Sequence, residues 1–208
     1  MDVPFRPPKG YDNSYTENYN PSEEPLRNSY FGLRHGQSLA NLEQRIISAP
    51  EVGCQQYGLS ELGHKQASGA ANGLDPKALF VSSDFLRAHQ TALLAATSLG
   101  AAEPRLEPAL RERFFGEFEG QTAESYPLVW QRDSQGDHCW RGVESPLALT
   151  RRMAGVVEGL EQSHQGRTIV LVSHGDPLRF LQLWFEGRPF TEHARLPHFE
   201  PAELRRLG

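Results

Sequence analysis

The chain has 208 residues, enough for one domain with a sizeable core, or for one domain plus an extension. With 21 Lys and Arg against 26 Asp and Glu, its formal net charge of −5 argues against a general polyanion-binding surface, so no nucleic-acid partner is expected. No apolar run approaches bilayer-spanning length, the N-terminus lacks a hydrophobic signal core, and two cysteines, Cys54 and Cys139, are too few for a disulfide framework; a cytoplasmic protein without a membrane partner is the expectation.

Residues 1–28 are rich in Pro, Tyr, Asn, Ser and Glu and have no apolar periodicity that could bury a face. They read as a flexible extension, with a docking peptide anchored by Tyr11, Tyr15 and Tyr19 as the alternative. Residues 29–208 read as one catalytic domain. Strand-like runs at 29–33, 78–82 and 168–172 alternate with helical patterns. A short helix is expected over 60–72. The next covers 84–99, with Asp84 as N-cap, Phe85, Ala88, Ala92, Ala95 and Leu99 on one face, and Gly100 as its stop. Residues 121–144 are polar and aromatic without a clean period and read as a loop or cap, in which no aromatic, Trp130 and Trp140 included, is given a role. Ser145-Pro146 opens a helix carrying Leu149, Met153, Val156 and Leu160, ended by Gly166. A last helix starts at Asp176-Pro177 and runs through Phe180, Leu181 and Trp184 to Gly187. The alternation predicts an α/β fold, a three-layer α/β/α sandwich around a mostly parallel central sheet.

Two of the strands end in a His-Gly pair, Arg34-His35-Gly36 and Ser173-His174-Gly175. A neutral imidazole at a strand end can attack phosphorus if its other ring nitrogen is held by an acceptor that sets the tautomer. Gly36 is expected to let phosphate oxygens approach main-chain N–H groups. Arg34 and Arg87 suit a phosphate clamp, because a planar guanidinium holds two oxygens and stays charged. Arg87 lies in the first turn of its helix, where the dipole disfavours a cation, so an anion should offset it; Asp84 is the local candidate. Eight histidines offer no His-x-His or His-x-x-x-His spacing and the cysteines are isolated, so no metal site and no cofactor are expected.

Four motifs in order, Leu33-Arg34-His35-Gly36-Gln37-Ser38, the run from Ser82 to Ala92 around Arg87, the run from Leu110 to Gly120 around Glu112, and Val172-Ser173-His174-Gly175-Asp176, resemble the histidine phosphatase superfamily, also called phosphoglycerate mutase-like proteins. The likeness runs from about Ser29 to the C-terminus. It implies the phosphoglycerate mutase-like fold and a catalytic set of His35, Arg34, Arg87, His174 and Glu112. His174 would stabilise charge on the transferring group, while Ser38, Asn41 and Gly175 would contact the phosphate. Glu112 is contested by Glu117 and Glu119, and its spacing to Gly116 and Gly120 favours it. Bound phosphate is expected to raise its pKa. The reaction implied is metal-independent hydrolysis of a small phosphorylated metabolite through a phosphohistidine.

Mutase-type phosphoryl transfer and a non-catalytic phospho-ligand or protein-binding member are the alternatives. Against a mutase stand the short segment between Glu112 and His174 and Phe115 where those mutases usually carry tyrosine. Two departures bear on substrate preference. Gln37 stands where many relatives carry Glu, and Ile46-Ile47-Ser48 makes the adjoining wall less polar.

Overall fold

The run Thr-Ile-Val-Leu-Val-Ser at 168–173 has no alternating polar face, which is what a strand covered on both sides requires. In the computed structural model, which describes residues 25–136 and 140–207, it is the central strand of a five-stranded sheet. The strands are β1 (Ser29–Arg34), β2 (Leu79–Ser82), β3 (Arg105–Leu106), β4 (Thr168–Ser173) and β5 (Leu204–Arg206), in spatial order β3-β2-β4-β1-β5. All neighbours are parallel except β1 and β5. The helices are α1 (Leu39–Leu42), α2 (Pro50–Gly53), α3 (Glu61–Gly69), α4 (Leu86–Leu99), α5 (Tyr126–Ser134), α6 (Pro146–Ser163) and α7 (Gly175–Phe185).

Alternation along β4 divides the core in two. Ile169 and Leu171 point to one face, where Leu149, Met153 and Val157 of α6 and Leu178 and Leu181 of α7 meet them. Val170 and Val172 point to the other, against Ala88, Ala92, Ala95 and Ala96 of α4 and the nearby Ala71. The small residues of α4 let it lie close to the sheet, and α3 packs outside on α4. The expected three-layer α/β/α sandwich with a mostly parallel sheet is the observed fold.

Several local expectations are corrected. Asp84 does not cap α4. The cap position falls to Phe85, with no side-chain hydrogen bond, and Asp84 instead takes two hydrogen bonds from Arg111, 2.7 Å from Nε and 2.6 Å from Nη2. A bidentate guanidinium outcompetes a backbone amide for the same carboxylate. The short helix is shorter than expected, 61–69, and the last helix opens at Gly175, one residue early. The cap segment contains a helix that escaped the pattern, α5, whose buried positions are only Val129 and Asp133. With one of its two inward residues charged, no apolar stripe is visible in the sequence. Val129 joins Ile46, Phe115, Phe118 and Val143 in a satellite core.

Other expectations are matched. Ser145 caps α6 by accepting from the Ala148 N–H at 3.1 Å, and Gly100 ends α4 at φ +75°. The extension expected over 1–28 lies outside the described residues as far as residue 24, as does Cys139. From Leu26 to Asn28 the chain is already fastened to α6. The Arg27 N–H donates to the Glu161 carboxylate at 2.7 Å, as does the Asn28 side-chain amide, and Leu26 packs on the core.

The turn after β1 is seated directly on α3. A Cβ on Gly63 would come within 2.0 Å of the Gln37 carbonyl oxygen, and one on Gly36 within 2.6 Å of the Gly63 carbonyl oxygen. Two backbones touch here, and neither position has room for a side chain. Gly63→Ala therefore destabilises the protein by about 1–3 kcal/mol despite alanine's better helix propensity, because backbone must move. Gly159→Ala, on an exposed face of α6 with open space around its Cβ, has the opposite sign, stabilising by about 0.5–1 kcal/mol. Thermal melts of the two variants check the pair; a Gly63→Ala melting temperature at or above the parent's would refute the contact.

Candidate active site

Parallel pairing in register brings the two His-Gly pairs together. Arg34 of β1 lies opposite Ser173 of β4, and the ladder continues one residue further through His35 N–H donating to the Ser173 carbonyl at 3.0 Å. The next side chains along, His35 and His174, then sit side by side, ring centroids 5.2 Å apart and inclined at 61°. Ligands of open α/β sheets bind beyond the carboxyl ends of the strands, and a cavity of about 450 Å³ opens here. Arg34, His35, Arg87, Glu112, Gly175 and Asp176 are among its walls.

The proton of His35 is placed by geometry. Nδ1 lies 2.8 Å from the carbonyl oxygen of Gly36, which can only accept, so Nδ1 carries hydrogen and Nε2 presents a lone pair. Arg87 Nε donates to that Nε2 at 3.1 Å. Burial, then the charges of Arg87 and Arg34, hold the His35 pKa well below its ordinary value, so the ring is neutral. Gly36 differs from expectation. Its N–H is taken by Thr91 Oγ1 at 3.0 Å and its Cα by the contact with α3, so it serves as tautomer anchor and packing point rather than as a phosphate cradle.

His174 is completely buried, behind the cavity wall. It occupies the N-cap position of α7 without making a side-chain cap. Its Nε2 meets Ser83 Oγ at 3.0 Å, and Phe85 packs on it edge to face at 5.3 Å. Burial, then Arg87 and His35, lower its pKa well below normal, leaving it neutral. Ser83 stands just beyond β2 and was quoted in the sequence motif without a role. A serine immediately after a strand whose neighbours deliver the histidines was the available signal.

Arg87 and Arg34 are both at the cavity, and Arg87 is nearly fully buried. Arg87 Nη2 donates to the Ile47 carbonyl at 3.0 Å and lies 3.9 Å from Glu112 Oε2; Arg34 Nη1 donates to the Phe199 carbonyl. The anion that offsets Arg87 is thus Glu112, not Asp84, whose carboxylate is committed to Arg111. Arg34 Nε, Arg87 Nη1 and His174 Nδ1 are buried with no hydrogen-bond partner among the described residues. Arg34 and Arg87 belong to one cavity wall, and buried guanidinium N–H groups left unpaired there suit an anion.

Glu112 Oε1 accepts the Arg113 N–H at 2.9 Å, while Oε2 stands 4.0 Å from His174 Nδ1. Its pKa is pushed up to about 7, by burial first, with Arg87 opposing and Asp176 assisting. Bound phosphate, the cause expected from sequence, is not needed. Ser38 and Asn41 also line the cavity. They cap α1 reciprocally, Ser38 N–H to Asn41 Oδ1 at 3.0 Å and Asn41 N–H to Ser38 Oγ at 3.2 Å. Gly175 is at the rim, where an added Cβ would meet only Arg34, at an ordinary 3.9 Å.

Gln37 turns away from the cavity. Its N–H donates to Gln66 and its side chain accepts from Ser60, so the departure from Glu at this position acts on the seat of α3. Ile47 does line the wall. Tyr126 and Trp130 of α5 line it too, stacked at 5.6 Å, and Trp130 Nε1 donates to Asp176. Sequence reading gave this segment no role, since nothing in it marks which aromatics turn inward. Among the described residues no three His, Cys, Asp or Glu side chains are grouped so as to hold a metal ion.

The chain is similar to several known proteins. The chain is 30% identical over 180 residues to a 2,3-bisphosphoglycerate-dependent phosphoglycerate mutase of Chelativorans sp. (strain BNC1), covering 79% of this chain and 84% of that protein. It is 33% identical over 162 residues to a metal-independent phosphoserine phosphatase of Arabidopsis thaliana, covering 73% and 66%. Among solved structures, a mycobacterial glucosyl-3-phosphoglycerate phosphatase in complex with VO3 superposes with a TM-score of 0.71 at 29% identity, covering 86% of this chain and 92% of that one. The family model for the histidine phosphatase superfamily (branch 1) matches residues 31–208, and the chain belongs to that superfamily.

Proposed function

We propose that the protein is a metal-independent phosphomonoester hydrolase that acts on a small phosphorylated metabolite through a phosphohistidine at His35. The observation that carries this reading is the lone pair of a tautomer-fixed, neutral His35 turned toward buried guanidinium and imidazole donors, beside a carboxyl that titrates near neutrality. Two similar proteins with phosphatase names, and a cavity lined by Arg34, Ser38, Asn41 and Arg87 as well as by Ile47 and Tyr126, support a small polar ester.

In the first step His35 Nε2 attacks phosphorus and the P–O ester bond breaks, while protonated Glu112 gives its proton to the departing alkoxide. Arg34, Arg87 and His174 Nδ1–H hold the three non-bridging oxygens as charge shifts during transfer. In the second step ionised Glu112 takes a proton from water, the oxygen bonds to phosphorus, the N–P bond breaks, and inorganic phosphate leaves. Ser38, Asn41 and Gly175 contribute at the rim, Asn41 through the side-chain N–H groups that its cap leaves free. The mutase alternative needs further cations to hold a second anionic group. Among the described residues the cavity wall adds one guanidinium beyond Arg34 and Arg87, that of Arg45, which is exposed and 3.3 Å from Glu43.

His35→Ala abolishes turnover and the acid-labile phosphoenzyme that rapid quench traps from the parent, and chelator leaves the parent rate unchanged. Parent turnover without trapped phosphoenzyme, or turnover abolished by chelator, would refute the mechanism. For an alkyl phosphate, kcat/KM falls as pH rises through about 7, as the Glu112 proton is lost; a profile flat from pH 6 to 8.5 would exclude it as the acid.

The same shift has a stability sign. Because the folded pKa is raised above 4.5, the contribution of Glu112 is fully present below that value and lost as pH rises through about 7. Glu112→Gln therefore gains on the parent by up to about 3 kcal/mol between pH 4 and pH 8. Denaturant unfolding of both proteins at the two pH values measures the difference.

A further inference from the structure

Resting on the acid/base reading of Glu112, we infer that Arg152, braced by Glu144, is the positioning residue that holds Glu112 in the pocket. Arg152 lies on α6, outside every motif quoted from the sequence and away from the cavity that holds His35. Its guanidinium is saturated by one loop and one carboxylate. Nη1 donates to the carbonyl oxygens of Ala109 at 2.6 Å and Arg111 at 2.9 Å, and Nη2 to that of Glu112 at 3.1 Å. Nε and Nη2 donate to the two carboxylate oxygens of Glu144, at 2.7 and 2.9 Å. Its five N–H groups meet five oxygens, three of them on the backbone that leads into Glu112, and Nη1 also lies 3.8 Å from Met153 Sδ.

That saturation matters because Glu112 sits in a segment without long regular structure. After the single turn of 108–110 the chain passes through 111–115 with no ladder to fix it. Glu144 reinforces the same stretch from its other side. Its carbonyl accepts from Arg113 Nε at 2.8 Å and its carboxylate from the Phe114 N–H at 3.3 Å. Residues 109–114 are thus held by Arg152 of α6 and by Glu144, two residues before that helix begins. The Glu112 side chain must stay within reach of His174 and Arg87, which it meets at 4.0 and 3.9 Å, while a second groove opens on its far side, lined by Glu112 itself, Arg111, Phe114, Glu144 and Arg152. Without the clamp the carboxyl has room to swing into that groove, where water would lower its pKa and remove it from the leaving oxygen. Lysine is no substitute, since three tetrahedral donors cannot span three carbonyls and a carboxylate.

The test separates positioning from folding by the leaving group. An alkyl phosphate such as glycerol phosphate needs a proton from Glu112, whereas 2,4-dinitrophenyl phosphate departs as a stable phenolate and needs none. In Arg152→Gln, kcat/KM for glycerol phosphate falls about 100-fold or more, the size of a lost acid, while kcat/KM for the dinitrophenyl ester stays within about threefold. With that ester kcat nevertheless falls and a burst of dinitrophenol appears, because phosphoenzyme hydrolysis still needs Glu112 as base. Arg152→Lys recovers only part of the loss. Equal falls with both esters, or no fall with either, would overturn the inference, since a protein merely less folded loses both together. Glu144→Gln, which weakens the same clamp without touching α6, serves if Arg152→Gln does not fold, and the same split is expected of it. A parent enzyme that forms no phosphoenzyme with either ester would instead refute the hydrolase reading itself.

Discussion

The parallel pairing of β1 with β4 is the constraint on which the rest of the molecule depends. Because Arg34 and Ser173 are directly opposite, the residues that follow them leave the sheet edge together, and two imidazoles from distant parts of the chain share one site. A slip of one residue would turn every side chain of β1 to the opposite face, burying Phe31 where Tyr30 belongs and separating the rings. The apolar alternation of β4 makes that slip costly. One face is committed to α6 and α7, the other to α4. β2 supplies the third part by the same geometry. Ser83 N–H donates to the Val172 carbonyl at 2.9 Å, which sets Ser83 Oγ against His174.

Burial then sets the chemistry. Desolvation favours the uncharged form of every titratable group, and it is the leading cause of the shifts at His35, His174 and Glu112. Both imidazoles are thereby left neutral, and Glu112 is divided between its acid and carboxylate forms around neutrality. The guanidinium of Arg87 is lowered by burial too, but from a value so high that it remains charged. The outcome is two guanidinium groups, Arg34 and Arg87, beside two neutral imidazoles in a poorly solvated setting. An incoming phosphoryl dianion would meet preoriented donors and displace little ordered protein structure, which is the condition under which such donors act most strongly.

How far the sequence disclosed this varies with the range of the interaction. Strand ends, the Ser145 cap and the Gly100 stop rest on local stereochemistry and are legible. The His-Gly pairs are legible because short motifs occur at strand ends, and the structure brings His35, His174, Arg34, Arg87 and Glu112 together. Asp84 misled because a capping residue and an ion-pair partner look identical in sequence, and the competitor, Arg111, is 27 positions away. Gly36 misled differently. Its glycine is required, but by the backbone of α3 rather than by a ligand. Helix α5 was hidden because its inward face carries Asp133, and a charge is read as solvent-facing until its partner is known.

That partner also defines the cap. Arg113, completely buried, binds Asp133 through both ends at 2.6 and 2.8 Å, lies 3.6 Å from Asp176, and rests against the rings of Phe115 and Phe180. Asp176 in turn accepts from Trp130 and lies 3.6 Å from Arg179, whose guanidinium covers the Trp130 ring. The network ties α5 to the first turns of α7, directly beside His174. Removing one member of such a buried pair costs about 3–5 kcal/mol. The wall formed by Tyr126 and Trp130 is therefore tied to the sandwich by buried ion pairs rather than by an apolar stripe. On the proposed hydrolase reading, selection among phosphate esters falls to the shape left between that wall and the strand ends, a cavity of about 450 Å³. A cap locked by ion pairs whose members are scattered through the chain is compatible with a shared phosphate pocket and a private substrate range. The pocket is written in contiguous motifs, whereas the cap is held by contacts that appear only once the chain has folded.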